Sequence, residues 1–376
     1  MKITIIGPAS PYRGGIALFS NRLAEALIAA GHEVNIVTFK LQYPSFLFPG
    51  KTQFSSDTNG SNLNITRAIN SVNPFNWVKL GKQIKEAKPD LVIFKYWMPF
   101  MAPCFGTIAR QIKKNNSTKI VALVHNLIPH ERRIGDTALT KYFLKRIDGF
   151  IAMSKSVLAD IEQFDTVKPK VFSPHPLYDN FGAAKSREEA LNTLGLDGSF
   201  NYMLFFGIIR KYKGLDLLLN AFADKQLNNG TIKLIVAGEF YEDDTVYREI
   251  IKKHQLEDSV ILVNKFIPDN EVVNYFCAAD IIVQPYRNAT QSGVTQIAYY
   301  FDKPMLVTDV GGLKEIVPHN KVGYVVEPNA NEVAKALIDF YQNNKAAEFI
   351  NGVKEEKNKY SWQKMVECII FLYQKL

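Results

Sequence analysis

A chain of 376 residues with 47% hydrophobic side chains exceeds one ordinary core and predicts two domains. Three widely spaced cysteines (Cys104, Cys277 and Cys368) form no CxxC pair, which excludes a disulfide framework and a zinc cage, and no apolar run reaches the roughly eighteen residues of a membrane span. The net charge of +8 is uneven: residues 1–175 carry 23 Lys and Arg against 11 Asp and Glu, whereas residues 176–376 carry 22 against 26. The cationic surplus therefore lies in the first half. There it would meet an anionic membrane surface or a phosphorylated acceptor, or merely keep a basic surface solvated.

Lys2–Ile6 reads as a short buried strand, and Gly14-Gly15 precedes a helical pattern with Ile16, Phe19, Leu23 and Leu27 on one face. Gly31 stops that helix, and an extended run at 33–38 completes a strand–loop–helix–strand unit of a doubly wound parallel sheet. Further short apolar strands are predicted at 90–94, Lys119–Val124 and 149–153. Periodicity lapses across 176–199, read as a linker with a short helix, so the first domain is taken as 1–175 and the second as 200–360. The second cycle has strands at 202–207, 232–238, Val260–Val263, 281–283 and 304–308, a helix at Leu215–Phe222, and helices at 329–340 and 361–373.

Several loops carry chemistry. Gly14-Gly15 forms a tight strand-to-helix turn that suits a phosphate, but the spaced GxGxxG fingerprint is missing, which argues against hydride transfer to a dinucleotide. After the strand ending at Gly207, Arg210, Lys211 and Lys213 precede a helix, so cations and a helix N-terminus can converge on one diphosphate. The run 284–298, with Thr290, Gln291, Ser292, Gly293 and Val294 opening a helix, reads as a second phosphate cradle. His125 follows a strand end and is the best single candidate for substrate contact, whereas His130 and His175 read more readily as structural. Tyr96 and Trp97 suit packing under a loop better than sugar stacking, and Glu239 with the acidic run 242–244 suits a solvated loop tip better than a ribose site. No His, Cys and Asp spacing suggests a metal.

Together these pieces resemble the retaining family-4 glycosyltransferases of the GT-B fold over nearly the whole chain. The matching residues are Gly14-Gly15-Ile16, Ala30-Gly31-His32, Val124-His125-Asn126, Gly207 with Arg210 and Lys213-Gly214, Ala237-Gly238, Ala278-Ala279-Asp280, Thr290 to Val294, and Asp309 to Glu315. The resemblance implies an α/β protein of two Rossmann-like doubly wound domains facing a cleft, with a closing helix at 361–376 that packs back on the first. It implies a nucleoside-diphosphate-sugar donor held mainly by the second domain, an acceptor on the first, and no metal or other cofactor. Arg210 and Lys213 would stabilise the departing diphosphate. Ser292, Gly293 and Val294 would bind the same phosphates, with Gly14 and Gly15 closing from the other domain. His125 would touch the donor sugar, and Glu315 belongs to the donor-binding set.

The family's paired glutamates are missing: their ungapped positions fall on Ala289 and Ile297. A one-residue shift brings Gln296 to the ribose position, and Thr290 or Gln291 can replace the other carboxylate by neutral hydrogen bonds. The usual arginine after the glycine is Ile208, with Arg210 nearest. The expectation is a cytoplasmic, metal-independent retaining hexosyltransferase of bacterial surface-polysaccharide synthesis, acting on a glycan or lipid-linked acceptor at the inner membrane face. A silent nucleotide-sugar-binding module, an epimerase and a sugar-phosphate synthase are the alternatives. Nucleic acid is not an expected partner, because the cations lack interleaved aromatics.

Overall fold

The apolar run Lys2–Ile6 forms β1, buried at every position after Lys2, and the chain then alternates strand and helix as that start requires. The computed structural model describes residues 1–44, 52–54, 63–128, 133–289 and 292–376. His130, Thr290 and Gln291 lie outside the described residues. Two units emerge, Met1–Pro176 with Tyr360–Leu376, and Leu177–Lys359.

In the first unit β1 is followed by α1 (Gly15–Ala29), β2 (Glu33–Leu41), β3 (Asn64–Asn70), α2 (Pro74–Ala87), β4 (Leu91–Tyr96), α3 (Ala102–Ile112), β5 (Lys119–Val124), α4 (Asp136–Leu144), β6 (Gly149–Ala152), α5 (Lys155–Phe164) and β7 (Lys170–Phe172). The seven strands are all parallel in the order β3-β2-β1-β4-β5-β6-β7, so chain order reverses between β1 and β4. Parallel pairing puts every strand-to-helix turn at one edge of the sheet, and the reversal opens a crevice there. Helix starts follow local chemistry: Asn73 caps α2 by accepting the Asn76 N–H, with Pro74 in the first turn, and Ser154 caps α5.

The second unit runs α6 (Arg187–Leu194), β8 (Asn201–Phe206), α7 (Leu215–Phe222), β9 (Ile232–Ala237), α8 (Thr245–Lys253), β10 (Val260–Val263), α9 (Asp269–Ala278), β11 (Ile281–Gln284), α10 (Gly293–Tyr300), β12 (Met305–Thr308), α11 (Leu313–Ile316), β13 (Gly323–Val326), α12 (Ala330–Gln342) and α13 (Ala346–Glu356). Its sheet is again parallel, in the order β10-β9-β8-β11-β12-β13, with the reversal between β8 and β11. Within 176–199, Lys185 Nζ donates to Asn274 Oδ1 at 3.0 Å and Arg187 pairs with Asp280 at 3.3 Å, which seats α6 on α9. The closing helix α14 (Trp362–Gln374), capped by Ser361, belongs to the first unit. Its Trp362 ring lies 5.0 Å from Phe19 of α1, and Lys119 Nζ reaches the Leu376 carbonyl at 2.6 Å.

Three edge strands are additions to the sequence expectation. β3 has only one fully buried position, so it lacks the apolar signal of its neighbours, and β7 and β13 are three and four residues long. Pairing on an existing sheet, rather than their own patterns, makes them strands. Tyr96 and Trp97 pack in the core: Tyr96 stacks on Phe143 at 4.8 Å, and Trp97 donates its indole N–H to Tyr43.

Candidate active site

The reversal point of the second sheet gathers most of the predicted donor residues. At the end of β8, Gly207 adopts φ 100°, a conformation that favours glycine, and a Cβ there would stand 3.3 Å from Lys213 Nζ and 3.8 Å from a Val294 methyl. The glycine, the lysine and the first turn of α10 therefore converge. The loop that carries the lysine is held from beneath. Gly238 approaches so closely that a Cβ would lie 1.9 Å from the Gly207 carbonyl oxygen, the Ile209 N–H donates to Glu239 O, and the Lys211 N–H donates to Glu242 Oε2. The acidic run stays largely exposed, as a loop tip: Glu242 accepts the Lys211 N–H, whereas Asp243 accepts from the Thr245 N–H and Asp244 pairs with Arg248 at the start of α8.

Lys213 ends a single 3-10 turn, Lys211–Lys213, and Gly214 follows at φ 68° with a would-be Cβ only 2.0 Å from the Pro285 carbonyl oxygen. That contact ties the β8 loop to the β11 loop, and the Arg287 N–H adds a second tie to Tyr212 O at 2.7 Å. Lys213 Nζ lies 5.5 Å from the Tyr286 ring centroid and Arg210 Cζ lies 5.3 Å from that of Tyr241. Neither cation is within ion-pair distance of a carboxylate among the described residues. Burial, and then the Arg210 charge, lower the Lys213 ammonium to about 8. Two adjacent cations without a counter-charge make a site complementary to a dianion.

On the β11 side, Ser292 caps α10. Its Oγ accepts the Val294 N–H at 3.2 Å and donates to Gln284 Oε1 at 2.6 Å. The Val294 N–H is therefore engaged by the cap. A Cβ on Gly293 would strike the Tyr178 ring at 2.8 Å, so the glycine permits that packing. Gln296 is fully buried, and neither its amide oxygen nor its nitrogen has a partner among the described residues. Ala289 and Ile297, at the positions of the missing glutamates, are 4% and 5% exposed and apolar. Glu315 stands one strand further on, in the short α11.

The first unit presents Gly14 at φ 101° as the N-cap of α1, with Gly15 exposed as its first residue, and His125 directly after β5. The His125 ring meets Phe19 edge-on at 5.3 Å, and burial, followed by Lys95 and His175, drives its basicity well below the ordinary imidazole range. His175 is fixed by its Nδ1–H donating to Pro176 O at 2.7 Å, a structural role. Gln284 and Lys95 escaped sequence reasoning. The available signal was one polar residue closing an apolar strand in Gln284, and one charge inside another in Lys95.

Residues 186–356 match the family described as Glycosyl transferases group 1, and residues 13–174 match Glycosyltransferase Family 4. The chain is 25% identical to an uncharacterized glycosyltransferase of Methanocaldococcus jannaschii, across 100% of this chain and 99% of that protein. It is 25% identical to a D-inositol 3-phosphate glycosyltransferase of Thermobifida fusca (85% of this chain, 78% of that one) and 22% identical to an O-antigen chain mannosyltransferase C of Escherichia coli (81% and 80%). The solved structure of Anabaena HepE in complex with UDP superposes with a TM-score of 0.77 at 16% identity, covering 100% of both chains. The two parallel-sheet units, the two family matches and the fold likeness agree: this chain belongs to the group 1 glycosyltransferases and has the GT-B fold.

Proposed function

We propose that this glycosyltransferase moves a hexose, with retention of configuration, from a nucleoside diphosphate to a glycan or lipid-linked acceptor of bacterial surface-polysaccharide synthesis. The observation that carries the reading is the pair of carboxylate-free cations, Arg210 and Lys213, set against Gly207 and the first turn of α10. Such a site stabilises charge on a departing diphosphate without a metal. The bond from the anomeric carbon to the β-phosphate oxygen breaks, a bond to the acceptor oxygen forms on the same face, and the acceptor proton passes to the departing phosphate. His125, whose charged form burial disfavours, hydrogen-bonds a hydroxyl of the transferred sugar, and Gln296 replaces a carboxylate at the ribose. The Escherichia coli mannosyltransferase supports the polysaccharide setting, and the UDP complex of HepE supports a nucleotide donor.

Membrane contact is part of the same reading. The solvent ridge of α2 carries Phe75, Lys79, Lys82 and Glu86 at helical spacing, with Phe75 88% exposed, and Val72 and Ile134 are exposed on the turns after β3 and β5. Those turns share the strand-end edge of the sheet with His125. Aromatic and lysine side chains there suit the anionic inner face of a cytoplasmic membrane. Among the described residues no helix is long and apolar enough to cross one.

The deciding experiment is incubation with UDP-glucose, UDP-galactose and GDP-mannose, with nucleotide release and the anomeric configuration of any product followed by NMR. An inverted product would sink the retaining assignment. The buried Ala289 and Ile297 favour a second reading, a silent donor-binding module. Saturable nucleotide-sugar binding without hydrolysis or transfer would establish it.

A further inference from the structure

Lys95 sits where the first sheet reverses its order. Ile6 pairs with Phe94, so the next step along β1 and β4 sets Gly7 beside Lys95. A Cβ on Gly7 would stand 2.7 Å from Lys95 Cβ, which means that the glycine gives the lysine its path. The Lys95 side chain is 0% exposed and its Nζ lies 3.2 Å from the centroid of the Phe19 ring. Among the described residues Nζ has neither a hydrogen-bond partner nor an acidic neighbour. Leucine or methionine would fill this space without the desolvation that a buried ammonium suffers, so the amine calls for a use beyond packing.

The use is visible in what shares the ring. Phe19 also receives His125 at 5.3 Å, His175 at 4.9 Å and Trp362 at 5.0 Å. The His125 backbone N–H donates to Tyr96 O at 2.8 Å, which extends the β4–β5 ladder by one residue. Strand alternation then puts Lys95, Leu123 and His125 on the same face of the sheet. We propose that Lys95 is a positioning residue: from its seat on Phe19 it orients the His125 ring for the hydrogen bond that ring makes to the transferred sugar. This inference rests on the sugar contact assigned to His125 above.

The electrostatics act in the same sense. β4 supplies Lys95 and the segment before Pro176 supplies His175, and both disfavour a proton on His125 after burial has already done so. α1 and α14 supply rings, Phe19 and Trp362, with Arg22 lying 5.4 Å over the latter. A neutral imidazole can accept as well as donate a hydrogen bond, whereas an imidazolium can only donate. Burial also lowers Lys95 itself, and the Phe19 face opposes that by favouring its charged form.

The test is an NMR titration of imidazole Cε1–H signals in the full chain, comparing wild type with Lys95→Met and using His125→Asn for assignment. The His125 signal should titrate about one pH unit higher in Lys95→Met. The acid limb of UDP release from UDP-glucose should move with it, with kcat about tenfold lower and KM within about twofold of wild type. Lys95→Leu, which removes the same charge and fills the same space, should shift the signal in the same direction and serves should Lys95→Met not fold. An unshifted His125 titration in the folded variants overturns the proposal, and activity lost without that shift marks Lys95 as structural. Wild-type transfer by His125→Asn would instead overturn the sugar contact, while the NMR coupling would still be readable.

Discussion

The two reversal points use one arrangement for opposite ends. In each, a glycine at the end of the first strand makes room for a lysine: Gly7 for the stem of Lys95, Gly207 for the ammonium of Lys213. Lys213 remains partly exposed beside Arg210 and the start of α10, where a diphosphate can reach it. Lys95 is roofed by Phe19 and meets no ligand directly. Topology chooses the position in both sheets, and the element laid over it decides whether the cation stays accessible or is buried.

The strongest way to break this contrast is Lys213→Ala. It should lower kcat/KM on the order of 10²- to 10³-fold, as removal of a charge-stabilising donor does, and should abolish the thermal shift given by UDP. Full UDP affinity in that variant would leave Lys213 no better placed than Lys95.

The two glycines should differ next. Gly207→Ala places a side chain at φ 100°, costing about 1–3 kcal/mol, and also displaces the Lys213 ammonium. A Cβ on Gly7 would meet Lys95 Cβ at 2.7 Å, an atom fixed to its own backbone, so Gly7→Ala should also destabilise the fold but leave UDP binding intact. Equal UDP affinities in the two variants would erase the distinction.

A subtler probe is pH. Burial lowers Lys213 from its usual 10.5 to about 8, so between those values the folded state binds fewer protons than the unfolded one. The destabilisation that Lys213 imposes is therefore present below pH 8 and fades as pH rises towards 10.5. UDP affinity follows the cation and should fall severalfold between pH 7.5 and about 9. Lys213→Arg, charged throughout, should lose that dependence, and isothermal titration at the two pH values decides it.

Gln296→Met should raise stability by about 1 kcal/mol by removing two buried unpartnered atoms, and should weaken UDP binding by about threefold to tenfold if the amide meets the ribose. The smallest effect belongs to the membrane contact. Phe75→Ser should reduce retention on phosphatidylglycerol vesicles at low salt by a few fold, leaving transfer to a soluble acceptor unchanged.

Local pattern alone marked the central strands and the alternation of strand and helix. The apolar run Lys119–Val124 is a strand at the residues its sequence marks, because a strand buried on both faces must be apolar almost throughout. Glycines at strand ends and the Arg210 to Gly214 loop were equally legible, since tight turns and clustered cations announce themselves over a few residues. Only the tertiary structure decided the strand order, and with it that β1 adjoins β4 and β8 adjoins β11. Partners distant in sequence follow from that order: Lys95 beneath Phe19, Gln284 holding the cap of α10, Gly214 against Pro285. A side chain's chemistry depends on burial and on neighbours that chain order does not list, and for that reason the lysine inside β4 carried no meaning until the sheet was assembled.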